Sequence, residues 1–185
     1  MPVIVISGQS GCGSTTAARL LAKALKLRFF SAGEYYKTFG EGKSTERAVG
    51  FWKTEKGSSP RFHNALDEMV AKEATKGNVV CDAKLGVHFL KSVADFKIWL
   101  KASDSVRAER YAKRDSISVG EAEKLVKAKD RLERENFKRI YGFDSFSQEK
   151  EADLVVDVSK KTPEDVVSEI MKAIAGRKSI KTSKD

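Results

Sequence analysis

Eight residues near the start of the chain, Gly8-Gln9-Ser10-Gly11-Cys12-Gly13-Ser14-Thr15, have the types and spacing to hold a phosphate. Set against the pattern G-x-x-x-x-G-K-[ST], Gly8, Gly13 and Thr15 fit, while the lysine is replaced by Ser14. Glycines let the backbone curl closely around an anion. The amide hydrogens then point inward, and the helix that follows adds the positive end of its dipole. Thr15 offers a hydroxyl to Mg²⁺, so most of this cradle is main chain and survives the substitution. What is lost is one positive charge near the β- and γ-phosphates, and the basic helices over residues 107–139 can return it.

Other charged groups fall at element ends. Asp82 closes the short apolar run "NVVCD", where it can hold the water shell of a magnesium ion or orient Lys84. Arg110 and Arg114 are four apart and share a helix face. Arg107, Arg131 and Arg134 lie in the same basic stretch. His63 and Asp67, also four apart, sit on a helix expected after Pro60; His63 reads equally well as a surface histidine. His88 reads as a packing residue. Cys12 and Cys81, the only cysteines, lack metal-ligand spacing and read as reduced thiols, Cys12 as a small packing residue.

The elements that must position these groups follow from periodicity. Residues 2–7 read as a β-branched first strand, and Ala17, Leu20, Leu21, Ala24 and Leu25 recur at helical spacing behind the loop. "LRFFS", "NVVCD", "DFKIWLKA" and "ADLVVDVS" read as further strands, alternating with helices. Ser59-Pro60, Ser103, the pair Ser118 and Glu121, and Thr162-Pro163 mark helix starts, and Gly176 marks an expected stop. Such alternation predicts an α/β fold: an open, mainly parallel five-stranded sheet in three α/β/α layers, with ligands at the carboxyl ends of its strands.

The chain has 185 residues and a formal charge of +9. That size suits one domain, expected over 1–176, with a basic tail over 177–185 expected to be disordered. The expectation is a cytoplasmic monomer, with neither a membrane span nor a signal peptide. The basic balance favours nucleotides as partners; it also admits nucleic acid, which is not expected.

"VISGQSGCGSTTAARLLAKAL", "SAGEYYK", "GNVVCDAKLG", "RAERYAKRDSISVGEAEK" and "FKRIYGFD" before "ADLVVDVS" resemble, in order, the archaeal-type cytidylate kinases, nucleoside monophosphate kinases of the P-loop fold. The resemblance leaves out residues 40–58 and the tail. It implies ATP-dependent phosphorylation of CMP or dCMP, with ATP and Mg²⁺ bound. It implies an acceptor-binding helical segment at about 34–76 and a short lid at about 115–130. Family members can carry a small hydroxyl residue where Ser14 stands. The resemblance assigns Gly8, Gln9, Ser10, Gly11, Cys12, Gly13, Ser14, Thr15 and Thr16 to ATP. It assigns Ser31, Gly33, Lys37, Asp67 and Lys84 to the acceptor, Thr15 and Asp82 to the metal, and Arg110, Arg114 and Arg131 to catalysis. Lys37 and Lys84 stand where the family commonly has arginines, keeping the charge without the two-pronged grip. Two alternatives stay open: a P-loop ATPase of ribosome or RNA assembly, and a nucleotide-binding module without turnover.

Overall fold

The computed structural model describes residues 1–34 and 45–182, with side chains to Arg177. Five strands form one sheet: β1 (Val3–Gly8), β2 (Arg28–Ser31), β3 (Val79–Asp82), β4 (Phe96–Lys101) and β5 (Leu154–Asp157). Their order is β2-β3-β1-β4-β5 and every pairing is parallel. The expected five-stranded α/β sheet is what forms. Central β1 is buried along its whole length. Ile4 and Ile6 face one core layer, with Leu21 of α1 (Ser14–Leu25) and Ile170 of the last helix. Val3 and Val5 face the other, with Val70 and Val87. β-branched residues at alternate positions fill both layers, so the run from Val3 to Ile6 is apolar without a break.

Between β2 and β3 stand α2 (Thr45–Trp52) and α3 (Pro60–Thr75), the latter opening with proline in its first turn as expected. A single turn, α4 (Gly86–Phe89), follows β3. Beyond β4 come α5 (Asp104–Asp115) and the 23-residue α6 (Val119–Tyr141), separated by residues 116–118. Ser103 caps α5, and Ser118 with Glu121 closes the expected capping box on α6. The stretch expected as a lid is thus this turn and the first half of α6. A 3₁₀ segment (Ser145–Glu151) leads into β5, and α7 (Pro163–Thr182) ends the fold.

The carboxyl end departs from expectation. α7 does not stop at Gly176 but runs through it to Thr182. A glycine inside a helix costs about 1 kcal/mol relative to alanine, too little to end one by itself. No described helix is long and apolar enough to cross a membrane.

Candidate active site

The glycine loop leaves the carboxyl end of β1 and enters α1. Gly11 (φ 86°) and Gly13 (φ 88°) are both left-handed, a conformation that glycine adopts without penalty. A Cβ at Gly8 would collide with the Leu100 carbonyl oxygen and stand 2.8 Å from Cys12 Sγ. No side chain caps α1, which leaves its first amides free to meet an anion. Gln9 ties the loop to the end of β4: its backbone N–H donates to Leu100 O (3.1 Å), and its Oε1 accepts from the Ala102 N–H (3.0 Å). Cys12 is buried, and burial pushes its thiol up to about 11, in keeping with a packing role.

Four cations surround this loop. Arg107, 1% exposed, donates to Ser10 O (3.0 Å) and pairs with Asp104 and Asp130 at 2.6 and 2.7 Å. Burial opposes its charge, but Asp130 and Asp104 more than offset that and hold the guanidinium above its ordinary range. Arg110 donates to Cys12 O (2.9 Å) and to Val158 O (3.0 Å). Both arginines therefore hold carbonyl oxygens of the loop from α5. On the cleft side, the Lys84 ammonium reaches Gly8 O (3.1 Å), Ser10 Oγ (2.9 Å) and Glu133 Oε2 (3.0 Å). Lys129 stands 3.7 Å from Glu133 Oε1. Burial works against the Lys129 charge, yet Tyr111 and Glu133 keep it above the ordinary lysine range. Burial would raise the carboxyl of Glu133, but Lys84 and Lys129 prevail and hold it low. Cations from three other elements thus stand around the loop where Ser14 brings none.

At the mouth of the loop, Thr15 Oγ1 donates to Asp82 Oδ2 (2.6 Å), and Ser31 Oγ donates to the same oxygen (2.8 Å). A hydroxyl and a carboxylate at this distance form an all-oxygen donor set. That suits Mg²⁺, which takes few protein ligands and completes its shell with water and substrate phosphates.

Two hollows meet at the loop. One, of about 230 Å³, runs from Gly8, Lys84 and Asp82 past Gly33 to Trp52, His63, Leu66, Asp67 and Phe137. The other, of about 540 Å³, lies between Gly13, Thr16, Arg110, Val158 and Lys161. Gly11, Ser14, Thr15, Tyr111 and Arg114 border both. Arg114 stands at this junction, stacked 4.5 Å over the Tyr111 ring. It pairs with Asp115 at 2.7 Å, and that carboxylate accepts from the Thr45 N–H (2.8 Å) and Oγ1 (2.6 Å). Burial opposes the ionised Asp115, but Arg114 and Thr45 bring its carboxyl down to about 2.

The far end of the first hollow is aromatic. Trp52 stacks on His63 (4.7 Å between centroids, 10° between planes), with Phe137 edge-on to both. His63 is only 3% exposed and its Nε2 lies 2.8 Å from Gly57 O, so the surface reading of this residue is corrected. Burial lowers its pKa and keeps the ring neutral. Asp67 accepts a hydrogen bond from the Tyr141 hydroxyl, yet burial carries its carboxyl up to about 6. Lys129, Glu133, Phe137 and Tyr141 follow at intervals of four along α6, so one stripe of that helix serves both ends of the cleft.

The structure thus brings together Gly8 to Thr16, Ser31, Gly33, Asp67, Asp82, Lys84, Arg110 and Arg114. It does not bring Arg131, which is exposed on α6 and borders neither hollow. Lys37 lies outside the described residues. Sequence reasoning missed buried Glu133 and half-buried Lys129, because a sheltered charged residue on a helix rich in both signs looks like a solvated one. It read His88 correctly: the ring stacks on Phe143 at 4.2 Å and its Nδ1 lies 2.9 Å from Glu151.

A parallel five-stranded sheet, a glycine loop between its central strand and first helix, and a hydroxyl–carboxylate pair beside that loop define a P-loop kinase fold. Solved structures agree on the fold. A shikimate kinase from Aquifex aeolicus superimposes with a TM-score of 0.58 at 23% identity, covering 95% of this chain and 97% of its own. A shikimate kinase from Bacteroides thetaiotaomicron gives 0.64 at 17%, covering 94% and 98%. Residues 3–160 match the cytidylate kinase-like family, and the chain belongs to that family. A cytidylate kinase of Ignicoccus hospitalis is 37% identical over 94% of this chain and 99% of its own. One of Pyrobaculum arsenaticum is 36% identical over 90% and 89%.

Proposed function

We propose that this protein transfers the γ-phosphoryl group of ATP to CMP or dCMP, giving ADP and the corresponding diphosphate. One observation carries the reading: a single cleft runs from the glycine loop to an aromatic pocket bordered by a half-buried carboxylate. A triphosphate lies along the loop with its nucleoside in the hollow beside Val158, and the acceptor enters from the aromatic end. Trp52, His63 and Phe137 wall the acceptor's base, and Asp67 accepts from an exocyclic amino group, a feature that cytosine has and uracil lacks.

In the transfer, an α-phosphate oxygen of the acceptor bonds to the γ-phosphorus as the bridging oxygen of the β-phosphate departs with the electron pair. Little covalent help is needed; positioning and charge do most of the work. Arg114, at the junction of the hollows, faces the moving group, and Lys84 and Lys129 add charge on the acceptor side. Thr15 and Asp82 would hold Mg²⁺, which neutralises phosphate charge when bound. Arg107 and Arg110 keep the loop amides aimed at the triphosphate. Ser31 and Gly33 complete the described part of the acceptor site, and Lys37 is assigned to the acceptor from the family resemblance alone. An ATPase of RNA assembly is not favoured, because such an enzyme has no need of a small aromatic pocket beside its phosphates.

The test is ADP release with CMP, dCMP, UMP and AMP offered in parallel. CMP or dCMP is expected to give the highest kcat/KM. No ADP above the acceptor-free rate with any of the four defeats the proposal.

A further inference from the structure

The turn that carries Lys84 joins β3 to α4, and two buried polar side chains grip it from opposite sides. From the cleft side, Ser7 (1% exposed) donates to Ala83 O (2.7 Å) and accepts from the Val87 N–H (3.1 Å). From the far side, Gln148 (0% exposed) donates to Lys84 O (3.1 Å) and accepts from the His88 N–H (3.1 Å). Its amide also donates to Ser145 O (2.7 Å), so its hydrogen-bonding groups are engaged. The same 3₁₀ segment holds the turn a second time through Glu151 and His88. Gly86 fits too closely for any larger residue, since a Cβ there would lie 2.7 Å from Val5 Cγ1. The turn therefore cannot settle toward the sheet.

Burying a side-chain amide is costly unless its hydrogen bonds are made. Here they are made to the backbone of the residue whose ammonium holds Gly8 O and Ser10 Oγ in the glycine loop. Gln148 itself borders neither hollow. Any effect of Gln148 on phosphate binding must therefore pass through the turn. We propose that Gln148 is a positioning residue for the reaction: it fixes the backbone of Lys84 and so sets where that ammonium stands against the phosphates. This rests on the role proposed above for Lys84.

The test is a double-mutant cycle with Gln148→Met, which keeps the length of the side chain and removes both hydrogen-bonding functions. Misplacing a catalytic group by about 1 Å can cost on the order of 10²-fold in rate, so Gln148→Met alone is expected to lower kcat/KM by about tenfold or more. In a Lys84→Ala background the same change is expected to alter kcat/KM by less than about twofold, because coupled residues are not additive. A merely structural role gives equal losses in both backgrounds, and that result overturns the proposal, as does an unchanged value for the single variant. Should Gln148→Met not fold, Gln148→Glu takes its place: it still accepts from the His88 N–H but has no donor for Lys84 O. If the protein turns over no acceptor, the proposed function fails independently of this cycle. The cycle is then read on the ATP dissociation constant by calorimetry, with the same two criteria.

Discussion

Asp67 gives the sharpest test, because its place in the proposed acceptor pocket carries a thermodynamic cost. Burial raises its carboxyl from 3.8 to about 6, against the opposing pull of the Tyr141 hydroxyl. At 1.36 kcal/mol per pH unit, that displacement amounts to about 3 kcal/mol against the ionised form in the folded chain. A carboxyl that binds its proton more tightly when folded favours folding in acid. Its contribution is fully present below about pH 3.8, declines as pH rises, and is gone above about 6. An asparagine side chain in its place does not ionise, and its carbonyl oxygen can still accept from Tyr141. Asp67→Asn is therefore expected to stabilise the protein by roughly 1–3 kcal/mol at pH 7 and by much less at pH 4. Urea titrations of both proteins at pH 4, 5, 6 and 7 measure the difference; comparing the pair cancels the other carboxylates. The same variant is expected to lose kcat/KM for CMP by about tenfold or more, a gain in stability at the expense of function. A stability difference that stays constant from pH 4 to 7, or has the opposite sign at pH 7, refutes the reasoning.

Three further outcomes are expected. Gly8→Ala should abolish measurable ATP binding in calorimetry, because the added methyl group collides with Leu100 O and crowds Cys12; unchanged affinity would show that the loop is not the phosphate site. Thr15→Ala removes the hydroxyl beside Asp82 and should raise the magnesium concentration for half-maximal activity by about tenfold, roughly one charge-assisted hydrogen bond's worth. Arg131→Ala should leave kcat and KM within about twofold, in line with an exposed side chain away from both hollows; a loss of tenfold or more would require Arg131 to enter the cleft during turnover.

Local chemistry was legible, and tertiary chemistry was not. The sheet could be read because β-branched runs alternate with helical spacing, and the helix starts because Ser59-Pro60, Ser103 and Ser118 with Glu121 act within one turn. Helix α2 could not be read. "TERAVGFW" contains Gly50 and β-branched and aromatic residues, which are mediocre helix formers. Its first amide is satisfied by Asp115, 70 residues away. The glycine loop was plain from its spacing, and so was its missing charge. The sources of the surrounding charge were not plain: Lys84 reaches the loop from the turn after β3, and half-buried Lys129 and buried Glu133 lie on a helix whose sequence is charged throughout. Gln148 sits in a segment, "SFSQEKE", that reads as a polar connection.

Along α6, the stripe from Lys129 to Tyr141 spans twelve residue steps, about 18 Å at 1.5 Å per residue, from the Glu133 pairing beside the glycine loop to the hydrogen bond with Asp67. The helix is in effect a ruler with the two ends of the cleft marked on it. Adding or deleting one residue between those marks would swing the far group around the axis by about 100°, aiming Tyr141 away from Asp67. Length variation among working relatives should therefore gather in the turn before this rod or after it, and spare the rod between its two marks.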